Sequence, residues 1–237
     1  MRAALIPMKQ LSQAKMRLAD VLDREQRAEL TLAMLADVIA ACSASGCFDE
    51  IAVVSNDSEV FWRARELGAR PLAEPATLGG GLNEGVTFAQ RYLGRRVAVS
   101  ELVILPADMP LVRAEDVRAV VDALGAGEGP RVVIVRSRDN GTNALALRPP
   151  EVIDVRFGRD SADAHADTAR AAGVPLVELA LERLAFDVDA PEDLDALTTL
   201  PVGAATRRYL RARPLPAPRW PSSPSPQCGE RDAERSP

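Results

Sequence analysis

The 237-residue chain is 47% hydrophobic, enough for a sizeable core, and its formal net charge of −5 gives no electrostatic reason to expect nucleic acid or an anionic membrane as a partner. No uninterrupted apolar run reaches the roughly 18–20 residues of a membrane-spanning helix, so a cytoplasmic protein is expected. Three cysteines without a CxxC pair argue against a disulfide framework or a zinc site, and a single histidine, His165, excludes a His-rich metal site and argues against Ser-His-Asp chemistry.

In chain order, "RAALI" near the N-terminus reads as a short buried strand. A helix is expected from about Asp23 to Ser45, with Leu30, Met34, Leu35, Val38 and Ile39 at helical spacing and Gly46 as its stop. Glu50–Ser55 reads as a strand, the region Asp57–Leu67 as a helix ending at Gly68, and Asn83–Leu93 as a further helix. The apolar run Glu101–Leu111 supplies a third strand, followed by a helix over "AEDVRAVVDAL". Strands are then expected at Arg131–Ser137 and Asn143–Leu147, a helix at Ser161–Ala172 and a strand at "VPLVELA". Such alternation predicts an α/β fold, a mostly parallel sheet covered on both faces, with ligands at the C-terminal strand ends. Residues 1–200 are expected to form one domain, and residues 201–237 a Pro/Ser/Arg-rich tail, disordered from about 213.

The candidate chemistry sits in loops after strands. Of 29 basic residues only two are lysines, Lys9 and Lys15, and both fall in "IPMKQLSQAKMRL" after the first strand, with Arg17 alongside. A lysine is a compact point charge that approaches a phosphate oxygen end-on, where a planar guanidinium is bulkier. Asp108 follows the strand "LVIL" directly, and the next helix starts too late for Asp108 to cap it. In "FDVDAPEDL", Asp187 and Asp189 are two apart and project to one side of an extended segment. Both could meet one Mg²⁺, or one could bind it while Asp189 caps the helix that begins at Pro191. The glycines Gly79, Gly80 and Gly81 in "LGGGLNEG" let backbone amides approach a phosphate or base, although they form neither a P-loop nor a dinucleotide fingerprint. Gly158 and Ser161 stand at a helix N-terminus, where exposed amides and a hydroxyl make an anion site or an ordinary cap, and Thr142 opens a strand. His165, one turn on, reads as a packing or surface residue.

Taken in order, "IPMKQLSQAKMRL", "GGGLN", "LPADMPL", "GTNAL", "FGRDS" and "DVDAPEDL" resemble the guanylyltransferases of coenzyme F-420 biosynthesis, which act on 2-phospho-L-lactate or phosphoenolpyruvate. The resemblance implies a Rossmann-like α/β/α sandwich of the nucleotidyltransferase, glycosyltransferase-A-like type. It implies transfer of GMP from GTP to the phosphate of a small phospho-acid, with release of pyrophosphate. On that reading Asp108, Asp187 and Asp189 match the metal-binding carboxylates, and Thr142, Gly158 and Ser161 the phospho-acid site. Gly80, Gly81 and Asn83 lie by the nucleotide, Lys15 and Arg17 act on the β,γ-phosphates, and Lys9 contacts the nucleotide or the acceptor. A downstream transferase that takes the product is the partner implied. The alternatives are another nucleotidyltransferase, of molybdenum-cofactor or nucleotide-sugar type, and a non-catalytic nucleotide-binding module.

Overall fold

The computed structural model describes residues 1–75 and 81–213. Within them seven strands form one sheet: β1 (Arg2–Pro7), β2 (Glu50–Ser55), β3 (Arg70–Ala73), β4 (Glu101–Ile104), β5 (Arg131–Arg136), β6 (Thr142–Arg148) and β7 (Leu176–Leu179), in spatial order β3-β2-β1-β4-β6-β5-β7. Neighbours run parallel except where β6 pairs antiparallel with β4 and β5. The helices are α1 (Arg24–Ser45), α2 (Ser58–Glu66), α3 (Leu82–Arg96), α4 (Ala114–Ala123), α5 (Ser161–Ala171), α6 (Glu182–Ala185), α7 (Pro191–Leu197) and α8 (Ala204–Ala212).

β1, an interior strand flanked by β2 and β4, explains the layering. Ala3, Ala4, Leu5 and Ile6 are all 0% exposed, so β1 is buried on both faces, as its unbroken apolar run requires. One face of the sheet, with Val53, Val103, Val133 and Ala146, packs under α1, α2 and α4. The other, with Leu5, Leu102, Ile134 and Leu145, packs under α3 and α5. Each fully buried Leu, Ile or Val contributes about 1.5–3 kcal/mol. α1 is capped at its start by Asp23, whose side chain accepts from the Gln26 N–H while Gln26 returns the bond, and is stopped at Gly46 in the left-handed region at φ 66°. By length and composition alone α1 could cross a membrane, but the greater part of that stretch is buried inside the fold.

Three elements depart from the expectations. The third apolar strand ends at Ile104, and the chain leaves the sheet through Pro106, which sets Asp108 clear of the ladder. β3 was not foreseen, because its four residues include Pro71 and alternate between exposed and buried at the sheet edge. Nor was the helix after residue 200, α8, foreseen. α8 packs on α1, closing a third apolar cluster of Leu18, Leu30, Met34, Phe186, Leu197 and Tyr209. The tail expected from about 213 lies outside the described residues.

α8 is fastened by one buried carboxylate. Asp37 of α1 accepts from the backbone N–H groups of Ala205 and Thr206 at 2.8 and 2.9 Å, satisfying two orphan donors of the helix start. A Cβ at Gly203 would meet the Asp37 carboxylate, so the position before the helix has to be glycine. Asp37→Ala is therefore expected to lower stability by about 1–2 kcal/mol in urea unfolding, the usual cost of a lost cap. Gly203→Ala should act in the same direction.

Candidate active site

The site lies where the segments after β1 and β4, the start of β6 and the α6–α7 connection converge at one edge of the sheet. After β1 the chain makes two short 3₁₀ turns, Leu11–Gln13 and Met16–Leu18, with Lys15 between them in the left-handed region (φ 49°, ψ 45°). That conformation costs an L-residue roughly 1–2 kcal/mol. It is held from beneath by buried Arg27 of α1, which donates to the carbonyls of Ala14 at 3.3 Å and Leu22 at 2.8 Å. The turn aims the side chain inward. Lys15 Nζ donates to Asp108 Oδ2 at 2.5 Å and to Asp189 Oδ1 at 2.8 Å, with only 9% of its side chain exposed.

Asp187 and Asp189 flank Val188, whose side chain is fully buried, so the two carboxylates emerge together. The Val188 N–H donates to the Asp108 carbonyl at 3.2 Å and ties the two acidic loops together. One oxygen from each of Asp108, Asp187 and Asp189 lies within 4.8 Å of the others. The question of which aspartate caps α7 is answered by a third: Asp193 Oδ2 accepts from the N–H groups of Asp189 and Ala190 at 2.9 and 2.8 Å. The Asp189 carboxylate is left to face Lys15, and at 3.9 Å also Arg17, whose side chain is exposed.

The electrostatics call for more positive charge than one ammonium. Burial opposes the charge on Lys15, but Asp108 and then Asp189 outweigh it and hold its pKa above the ordinary lysine range. Burial, followed by the neighbouring Asp108, pushes Asp187 up to about 6, partly offset by a 3.3 Å bond from Asn143 Nδ2. Asp108 Oδ1 is buried without a hydrogen-bond partner among the described residues. Three carboxylates, an orphaned oxygen and an all-oxygen donor set fit a hard divalent cation.

The second half of the site begins one residue before Asn143. In β6 the register shifts against β5 between Val135 and Arg136. Simple alternation would put Thr142 on the side of Ala144, which packs towards α1 and α4. The irregularity instead aims Thr142 at α5, where its hydroxyl meets Ser161 Oγ at 3.0 Å and His165 Nδ1 at 3.0 Å. Ser161 is the first residue of α5 and the N-cap is Asp160, so the Ser161 hydroxyl is not used as a cap. Gly158, just before, sits at φ 142°, a conformation side chains rarely adopt.

His165 is 0% exposed and both of its ring nitrogens are engaged. The Arg156 N–H donates to Nε2 at 2.8 Å, so the neutral ring carries its proton on Nδ1 and donates to Thr142. The Thr142–Ser161 pair then has two hydroxyl protons and only one mutual bond, leaving one proton for an external acceptor. Sequence reasoning missed this role. The available signal was the spacing, since Ser161 and His165 stand four apart on one helix face. Asn143, which holds both Asp187 and the Leu184 carbonyl (2.8 Å), was missed as well.

The remaining expected residues are dispersed. Lys9 does not join the acidic cluster. It lines a cavity of about 300 Å³ with Gly81, between the ends of β1 and β2 and the start of α3. Asn83 is not among the residues lining that cavity. Its amide bonds the Phe157 carbonyl at 2.9 Å and accepts the Phe157 N–H at 2.7 Å, which sets the loop bearing Gly158. Gly80 lies outside the described residues.

The family described as "Guanylyl transferase CofC like" matches residues 1–216. The phosphoenolpyruvate guanylyltransferase of Sphaerobacter thermophilus is 41% identical over 204 residues, 86% of this chain and 96% of that protein. That of Rubrobacter xylanophilus is 42% identical over 201 residues, covering 82% and 92%. Among solved structures, a protein from Desulfovibrio desulfuricans provisionally named nucleotide-diphospho-sugar transferase superposes with TM-score 0.68 at 17% identity, covering 89% of this chain and 95% of that one. The sheet is thus of the nucleotidyltransferase, glycosyltransferase-A-like type.

The His165 geometry has a consequence for stability. Burial, and then the charge of Arg156, push its pKa down to about 4. The unfolded chain therefore binds a proton that the folded chain refuses between about pH 6.5 and 4. The stability contribution is complete above about pH 6.5 and is lost as pH falls towards 4, by up to about 3 kcal/mol. Urea unfolding at pH 7.5, 6 and 5 should show a steeper acid-side loss in the wild type than in His165→Asn. Parallel curves would mean that His165 charges freely.

Proposed function

The chain belongs to the CofC-like guanylyl transferase family, and on that premise we propose that it transfers the GMP unit of GTP to the phosphate of phosphoenolpyruvate, releasing pyrophosphate, in the cytoplasmic biosynthesis of coenzyme F-420. It is an enzyme, a nucleotidyltransferase, which sets aside the non-catalytic binding module. The observation that carries the reading at this site is the cluster of Asp108, Asp187 and Asp189 around the Lys15 ammonium, with Asn143 linking Asp187 to the Thr142–Ser161 hydroxyl pair between the start of β6 and the start of α5.

The reaction needs no strong general base, because the acceptor phosphate is already anionic at neutral pH. A bond forms between an acceptor phosphate oxygen and the α-phosphorus of GTP. The bond from that phosphorus to the oxygen bridging the β-phosphate breaks, and pyrophosphate leaves with the electron pair. What the protein must supply is alignment and charge compensation. Asp108, Asp187 and Asp189 would hold Mg²⁺, which when bound neutralises phosphate oxygens and favours the leaving group. Lys15 and Arg17 offer positive charge on the side where pyrophosphate departs. Thr142 and Ser161 hold the acid through the hydroxyl proton that the His165 tautomer leaves available. Gly158 lets the preceding loop turn close against that acid without a side chain in the way. Lys9 lies on the nucleotide side. The product is a reactive phosphoric anhydride, so a transferase that consumes it promptly is the partner this chemistry asks for.

Pyrophosphate release with GTP and Mg²⁺ is expected with phosphoenolpyruvate. 2-Phospho-L-lactate and 3-phosphoglycerate, offered separately, test the choice of acid. Silence with all three acids would remove the assignment. Asp108→Asn should lower kcat by about 10²–10³-fold, the scale of one lost electrostatic stabiliser. Lys15→Arg keeps the charge but cannot place a compact ammonium between Asp108 and Asp189, so its turnover should also fall, by at least about tenfold.

A further inference from the structure

The cavity beside Lys9 contains a carboxylate that none of the chemistry above uses. Glu74 follows β3, and its backbone N–H donates to the Ser55 carbonyl at 3.1 Å, which fixes where its side chain begins. It lines the cavity of about 300 Å³ together with Met8, Val54, Asn56, Leu82 and Gly85. That volume is at the small end of ligand sites, suited to a nucleobase rather than a whole nucleotide. Met8, Val54 and Leu82 give this mostly polar cavity an apolar surface for a flat aromatic ring to lie on, and Lys9 stands on the same cavity as a cation for phosphate.

Glu74 Oε1 is buried and has no hydrogen-bond partner among the described residues, nor does any of their ion pairs include Glu74. Burial, and then the nearby Glu84, hold its carboxyl above the usual glutamate range. The first turn of α3 lets this acid lie close: a Cβ at Gly85 would stand 2.8 Å from Glu74 Oε1, so a larger residue there would displace the carboxylate from its present position. A buried acceptor without a donor is costly in the empty protein, and it is relieved by a ligand that brings donors.

Resting on the GTP assignment above, we infer that Glu74 is the residue that selects guanine, its carboxylate accepting the N1–H and exocyclic N2–H of the base as a parallel pair. Guanine is the common nucleobase that presents two adjacent donors on its Watson–Crick edge. Adenine and cytosine each place a ring-nitrogen lone pair beside one amino group, which a carboxylate repels. Uracil sets a single N–H between two carbonyls. Hypoxanthine keeps N1–H and lacks the amino group, so inosine triphosphate separates the two bonds.

The test is calorimetric binding of GTP, ITP and ATP, each with Mg²⁺, to the wild type, Glu74→Gln and Glu74→Ala, with melting temperature as the folding control. The wild type should bind GTP about 10- to 100-fold more tightly than ITP, the worth of one hydrogen bond to a charged group, and ATP more weakly still. In Glu74→Gln the amide turns a donor towards a donor, and the GTP-to-ITP ratio should fall to within about twofold, as it should in Glu74→Ala. A wild type that binds GTP and ITP equally, or variants that retain the wild-type ratio, would overturn the inference. The comparison reads binding alone, so it is decided separately from pyrophosphate release: active enzyme with an unchanged ratio removes Glu74 and leaves the reaction standing.

Discussion

One oxygen from each of Asp108, Asp187 and Asp189 lies within 4.8 Å of the others, and like charges this close call for positive charge beside them. Lys15 provides that charge from the first loop of the protein, reaching Asp108 after the central β4 and Asp189 far along the chain. One ammonium thereby joins segments separated by 93 and 174 residues. Everything around it serves its placement. The left-handed turn points the side chain inward, Arg27 fixes the turn, and the Val188–Asp108 backbone bond sets the acidic loops at the right depth. The pair is partly buried, so its attraction is less screened than that of a surface ion pair. Its removal would also leave uncompensated charge, the expensive outcome for a buried carboxylate.

Much of this was legible in the chain. The two lysines among 29 basic residues drew attention to a loop from which Lys15 reaches the acidic cluster and Lys9 turns to the neighbouring cavity. Asp108, Asp187 and Asp189 could be read because each lies in a short polar break directly against a strongly apolar segment, where position relative to a strand end follows from the pattern. The alternation of elements was legible for the same reason, since β1, β4 and β5 are buried on both faces and leave unbroken apolar runs.

What escaped reading depends on partners distant in sequence. Nothing local to Asn83 says that its amide will be saturated by the backbone of Phe157. His165 looked like packing because its two partners, Thr142 and the Arg156 amide, are brought to it only by the fold. α8 was concealed by the arginine-rich composition after Pro201; it is held by Asp37 and by Tyr209, which donates to the Gln26 carbonyl at 3.0 Å. In each case the deciding interaction joins a side chain to a group remote in sequence, and no periodicity encodes that.

The register shift in β6 carries a mechanical meaning. Asn143 supports Asp187 on one face of the sheet, while Thr142 serves the hydroxyl pair on the other. These two anchors are joined by a single peptide plane, the stiffest link a polypeptide has. When the sheet breathes, both anchors are carried along by the same strand, and their spacing is preserved without help from any loop. The acidic cluster and the hydroxyl pair are thus tied to one rigid lever, one on either side of it.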